Sequence, residues 1–283
     1  MKRRIPLFLF VILTGIYFGT KMMFQIEPSE EVLSNTVKIL ASNTFGDREL
    51  PIYSVETDEK RIALSFDAAW GVEDFNDILA ILKEHNIKVT FFMTGGWVEA
   101  NPECVKRLVE EGHELGNHSE HHYDMTTLSE EQKREEIQLT HDKVYDLTGY
   151  KMCVFRPPSG AYDNELICVA NDMGYETVQW NVDSLDWKDY GVESIIDTVC
   201  NHKELGNGSI ILCHNGAKYT ADALDTMLTN LENQGYTIGT ISDLILTEDY
   251  HMDVTGRQIP DKKNDMKNQA SEIETETERK KKE

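Results

Sequence analysis

A chain of 283 residues can bury one substantial core or two small ones. Its formal charge of -22, from 50 acidic against 28 basic side chains, excludes nucleic acid as a partner, because counterion release needs clustered Lys and Arg. Five cysteines with no paired spacing and no Cys-x-x-Cys exclude a disulfide scaffold and read mostly as small buried apolar residues.

In chain order, Lys2, Arg3 and Arg4 precede an almost wholly apolar run from Ile5 to Phe24. About 20 such residues make a helix of roughly 30 Å, enough to span the hydrocarbon layer. The run passes through bulky Tyr17, Phe18 and two Met with no small-x-small site after it, which favours a retained anchor over a cleaved signal peptide. The basic end stays inside, so the expectation is a single-pass membrane protein over residues 1–24, with the rest of the chain outside the cell.

Residues 25–59, with Pro28 and Pro51, read as a stalk. Residues 60–248 form the expected domain, in which short β-type runs alternate with amphipathic helical patterns. The runs are Arg61–Phe66, Ile87–Met93, Glu114–Asn117, Met152–Phe155, Thr177–Asn181, Ser209–Cys213 and Tyr236–Ile241. The helical patterns are Asp74–His85, Pro102–Glu111, Glu130–Leu147, Asn164–Met173, Val192–Lys203 and Thr220–Asn233, the third opened by a Ser129/Gln132 capping box. Such alternation predicts an α/β fold on a parallel sheet, and periodicity alone does not choose between an open sheet and a barrel. Residues 249–283, rich in Lys, Glu, Asp, Asn and Gln, read as a charged, disordered tail.

In a parallel barrel, side chains just past each strand's C-terminal end converge on one face. Asp67 and Trp70 follow the first run, and His118 and His122 follow the third. Arg156-Pro157-Pro158-Ser159-Gly160 follows the fourth, Asp183, Asp186 and Trp187 the fifth, and His214 the sixth. Singly, each has a bland reading: Asp67 as a cap, His214 as a core histidine, Arg156 as a loop anchor, the indoles as core. Together they place acids, imidazoles, a guanidinium and two indoles on one rim, which points to catalysis.

The order of these motifs resembles the polysaccharide deacetylase family, the chitin and peptidoglycan deacetylases of carbohydrate esterase family four, over about residues 60 to 245. Ser65-Phe66-Asp67-Ala68 resembles its first motif, and His118-Ser119-Glu120-His121-His122 its second. Arg156 to Gly160 resembles the third, Asp183-Ser184-Leu185-Asp186-Trp187 the fourth, and Ile211-Leu212-Cys213-His214 the fifth. The resemblance implies a distorted (β/α) barrel of about seven parallel strands. It further implies hydrolysis of N-acetyl groups on an extracellular glycan, peptidoglycan foremost.

By that resemblance Asp67 is the general base and His214 the general acid. Arg156 orients Asp67, Asp186 tunes His214, and His118 with His122 binds a divalent ion, zinc foremost. Trp187, Trp70, Ser159, Gly160 and Leu212 would meet the sugar, with a backbone N–H near Ser159 and Gly160 facing the oxyanion. Two residues depart from the pattern. Ala68 stands where the family has its third metal ligand, so ligation falls to two imidazoles unless Glu73, Asp74 or Glu120 reaches in. Ser159 replaces an aromatic wall. The alternatives are a glycan-binding relative that has lost catalysis and an amidase acting on a small amide.

Overall fold

The computed structural model describes residues 48–261. The anchor expected over residues 1–24, most of the stalk and the tail beyond residue 261 lie outside the described residues. Among the described residues no helix is long and apolar enough to cross a membrane.

The elements run β1 (Ser54–Val55), β2 (Arg61–Ala68), α1 (Phe75–Glu84), β3 (Thr90–Met93), α2 (Gly95–Ala100), α3 (Pro102–Glu110), β4 (Glu114–Asn117) and α4 (Glu130–Thr148). They continue with β5 (Val154–Phe155), α5 (Asn164–Asp172), β6 (Glu176–Thr177), β7 (Val182–Asp183), α6 (Val192–Cys200), β8 (Ile210–His214), α7 (Thr220–Asn233), β9 (Thr237–Gly239), β10 (Tyr250–Met252) and β11 (Arg257–Pro260). Strands β2 to β9 form one parallel sheet in the order β6-β5-β4-β3-β2-β8-β7, with β9 pairing the start of β2. The sheet is therefore a curled half-barrel and not a closed one, because β6 and β7 do not pair. The expected run Thr177–Asn181 is split at this seam: Ile52 inserts there, bridging Val178, while Val55 N–H donates to Gly208 O.

Strand β2 is buried along almost its whole length, as a parallel strand covered on both faces must be. Its period of two sorts its side chains. Ile62, Leu64, Phe66 and Ala68 pack into the cluster that takes Ile78, Leu79 and Leu82 from α1 and Leu224, Leu228 and Leu231 from α7. Ala63 joins a second cluster with Phe92, Val154, Val178 and Ile210, and Ser65 and Asp67 continue that inner face. Each fully buried large apolar side chain contributes about 1.5 to 3 kcal/mol, so Leu64→Ala or Leu224→Ala costs about 2 to 5 kcal/mol.

Side chains cap the starts of α2, α4 and α5. Ser129 and Gln132 form the expected capping box on α4, while Thr94 Oγ1 accepts from Trp97 N–H to start α2, a helix not read from the sequence. Its Gly95-Gly96 opening hides it, glycine being a poor helix former.

The expected stalk and tail are corrected at both edges. β1 pairs parallel with β11, and β11 pairs antiparallel with β10. Residues 49–59 and 249–261 thus belong to the folded domain. Gln258, wholly buried, uses its side-chain amide to accept from Leu246 N–H at 2.8 Å and to donate to Leu246 O at 2.7 Å. The cysteines also depart from expectation, since only Cys200 and Cys213 are buried and Cys153 and Cys168 are exposed.

Candidate active site

The parallel register decides which side chains meet. Asp67 near the end of β2 is the direct partner of His214 at the end of β8. Beyond β3, β4 and β5 the pairing continues for one more residue: His118 N–H donates to Met93 O and Arg156 N–H to Asn117 O. The sheet therefore delivers Asp67, His118, Arg156 and His214 to one rim.

On the base side, Arg156 Nη1 donates to Asp67 Oδ1 at 2.8 Å and Nη2 to Gln179 O at 3.1 Å. The guanidinium is fully buried, lying 4.0 Å from the Phe92 ring centroid and 5.5 Å from that of Trp180. Burial pushes the Asp67 carboxyl up, but Arg156, His118 and His214 outweigh it and the net shift is downward. Asp67 is thus a carboxylate at neutral pH. Removing either partner of this buried pair costs about 3 to 5 kcal/mol through the charge left behind.

His118 Nδ1 lies 2.7 Å from Arg156 O. A carbonyl only accepts, so Nδ1 carries the proton and the Nε2 lone pair faces Asp67 Oδ2 at 3.5 Å. Burial lowers the His118 pKa to about 4, against the pull of Asp67, so this contact at neutral pH is not an ion pair. His122 follows in a tight loop, its φ at 58° and its N–H donated to Ser119 Oγ. The two rings are 4.9 Å apart by centroid. Burial also depresses the His122 pKa, so both imidazoles are neutral and able to act as ligands.

On the acid side, Asp186 is fully buried and accepts three hydrogen bonds. Its Oδ1 takes His214 Nδ1, and its Oδ2 takes His214 N–H and Thr220 Oγ1–H, all at 2.7 Å. Burial lowers the His214 pKa, but the hydrogen bond and charge of Asp186 outweigh it and leave it raised. A base held down and an acid held up sit side by side, the pattern that divides acid and base roles.

The donor set does not fit a metal ion held by three protein ligands. Ala68 sits at the expected third position with its methyl in the apolar cluster that packs on the helices. None of the substitutes reaches in: Glu120 is bound by Lys143 and Thr140, Asp74 Oδ1 accepts from Gly216 N–H, and Glu73 from Val72 N–H. Among the described residues no group of three His, Cys, Asp or Glu gathers to hold an ion.

Around this centre Trp70, 48% exposed, stacks on His214 with centroids 5.8 Å apart and presents its edge to His122 at 6.3 Å. The loop after it is clamped, with Gly71 O accepting from Trp97 Nε1 and Asn215 Nδ2. A Cβ on Gly71 would meet the Gly216 backbone at 2.9 Å, and one on Gly216 the Trp70 carbonyl at 2.8 Å. Both positions also have positive φ, 62° and 77°, so this crossing requires glycine. Trp187 is exposed beside Asp186, and Ser159 is exposed in a left-handed turn at φ 56°. Within this turn Gly160 N–H donates to Pro157 O. Leu212 is 3% exposed, two residues before His214 on the same face of β8, and so underlies the acid without reaching the rim. Asp183 ends β7, its Oδ1 accepting from Leu185 N–H. Thr220, Asn215 and Gln179 were missed by sequence reading: each acts on the site across 23 to 144 residues, without a motif.

A polysaccharide deacetylase profile matches residues 54–178, spanning the first three motifs. The peptidoglycan-N-acetylmuramic acid deacetylase PdaA of Bacillus subtilis is 35% identical over 214 residues, 74% of this chain and 81% of the relative. The chain belongs to the polysaccharide deacetylase family. The peptidoglycan-N-acetylglucosamine deacetylase PgdA of Listeria monocytogenes is 40% identical over 65% of this chain, a match that spans only 39% of that longer protein. Among solved structures, a CE4 family pseudoenzyme from Bacillus anthracis superposes with TM-score 0.66 at 38% identity, over 69% of this chain and 68% of that one.

Proposed function

We propose that this chain hydrolyses N-acetyl groups from peptidoglycan outside the cell. The observation that carries the proposal is the paired register of Asp67 and His214, each locked by a buried partner of opposite charge. Asp67 takes a proton from the attacking water as the new C–O bond forms. His214, its pKa raised by Asp186, gives its proton to the sugar nitrogen as the C–N bond breaks. Acetate and a free amine leave. Trp70 and Trp187 offer ring faces for the sugar. The extracellular setting rests on reading Lys2–Phe24 as a retained anchor, and protease accessibility on intact cells tests it. If the domain resists protease until the membrane is opened, that placement fails.

The deacetylase reading is tested by acetate release from peptidoglycan, with the metal content of the purified chain measured alongside. Wild-type chain should release acetate, and Asp67→Asn or His214→Ala should lower the rate by at least ~100-fold. Undiminished activity in either variant sinks the assignment of roles.

A second reading is a glycan-binding pseudoenzyme, favoured by Ala68 and by the likeness to the Bacillus anthracis pseudoenzyme. Glycan binding without acetate release would select it.

A further inference from the structure

The turn that carries Asp186 also carries a cation that the hydrolysis does not use. Leu185 and Asp189, at φ 55° and 54°, bracket a short 3-10 turn over Asp186–Lys188. This geometry draws Asp186 inward to His214 and turns the next residues to solvent, Trp187 at 52% and Tyr190 at 68% exposure. The Lys188 ammonium lies 4.9 Å from the Trp187 ring centroid and 5.9 Å from that of Tyr190. Among the described residues Lys188 makes no ion pair with a carboxylate, although the chain has 50 acidic side chains. The other lysine of this rim, Lys218, rests over Tyr219 at 4.7 Å and feels Asp189.

Two aromatic faces hold an ammonium without neutralising it, which leaves its N–H groups for a ligand. Lys188 shares one short turn with Asp186 and Trp187, so for a sugar stacked on Trp187 with its acetamide at Asp67 and His214 the substituent that matters is the one on the next ring carbon. In N-acetylmuramic acid that substituent is a lactyl ether ending in a carboxylate, whereas in N-acetylglucosamine it is a neutral hydroxyl. An acidic protein repels such a carboxylate unless a local cation receives it.

We propose that Lys188, held between Trp187 and Tyr190, is a specificity residue that selects glycans bearing a carboxylate beside the N-acetyl group over neutral ones. The proposal rests on the rim being a glycan site, as argued above.

The test measures binding of the full chain to three ligands of equal length: a muramic-type glycan with free lactyl carboxylates, its methyl ester, and an N-acetylglucosamine oligomer. Wild-type chain should bind the free acid about fivefold more tightly than the ester, a preference that added salt weakens. Lys188→Gln should erase the preference while binding the ester as wild type does, and Lys188→Arg should keep it. A wild-type chain with no preference, one that binds none of the three, or a preference unchanged in Lys188→Gln overturns the proposal. Acetate release is read separately. A carboxylate preference without any acetate sinks the deacetylase reading and leaves Lys188 standing. Equal acetate from both sugars, with no carboxylate preference, does the reverse.

Discussion

Asp67 and His214 are register partners on adjacent parallel strands, and each is tied to a different buried side chain of opposite charge, Arg156 and Asp186. Because the ties are separate, the two groups are tuned in opposite directions although they are neighbours. Arg156 holds the Asp67 carboxyl below its ordinary value, and Asp186 raises the pKa of His214.

The pH profile of deacetylation should reflect this division. Activity requires His214 protonated, and its pKa is raised, so activity should fall as pH rises through that value. Asp186→Asn removes the group that raises it, and the alkaline limb of kcat/KM should move to lower pH with a loss of about tenfold or more at neutral pH. An alkaline limb that stays in place would assign the acid role to another group.

Ala68 makes the metal question testable without an activity assay. Ala68→Asp puts a carboxylate next to Asp67 at the end of β2, in the apolar cluster that the alanine methyl occupies. In chelator the variant should melt below wild type, because a buried carboxylate without a partner is costly. Added zinc should raise its Tm progressively, as a ligand bound only to the folded state does, and more than it raises that of wild type. If the variant's Tm ignores zinc, residue 68 does not complete a metal site.

His85 joins α1 to α7 through Asp225 at 3.0 Å and Glu232 at 2.9 Å. Burial lowers its pKa, but the two carboxylates outweigh this and the net shift is upward. A raised folded-state pKa gives stability that is fully present below the ordinary histidine value and is lost as pH rises through the folded one. His85→Gln should therefore cost ~0.5 to 1 kcal/mol in mildly acidic buffer and progressively less in alkaline buffer, since the partners are largely exposed. Thermal melts across pH check this, and a cost that grows with pH would contradict it.

Gln258 stitches the C-terminal hairpin to the turn at Leu246. Gln258→Ala leaves two backbone groups of Leu246 without partners in a half-buried place, at about 2 to 4 kcal/mol. A Tm lowered by at least ~4 °C is expected, and an unchanged melt would mean the stitch contributes nothing.

Most of the site was legible because strand-end chemistry is local: Asp67, His118, Arg156, Asp186 and His214 each follow a readable apolar run. The groups that set their protonation states from a distance were not. Thr220 reaches Asp186 from the start of α7, 34 residues on, and Gln179 O meets Arg156 at a strand break that reads as continuous β-sequence. In the fold, the bounds of α7 match the expected Thr220–Asn233 although no side chain caps its start. The edges failed for the same physical reason at both ends. The apolar stretch at Ile52 is too short to stand out from a loop, Gln258 is a polar residue that is nonetheless buried, and no pattern marks a strand of two to four residues whose partner lies some 200 positions away.

That partnership sets a condition on how the domain comes into being. Ser54 emerges from the ribosome early, yet its register partner Arg257 is among the last residues of the domain to be made. Contacts of such sequence separation form late and slowly. Until β11 is made, Ile52 and Val55 have only the seam between β6 and β8 to hold them, and one row of strand-edge N–H and C=O groups stays open to other chains. A chain stalled or cut near residue 248 would carry every group of the rim and still present that sticky edge. Proteolytic nicking near the C-terminus is thus an aggregation hazard well before it touches the chemistry.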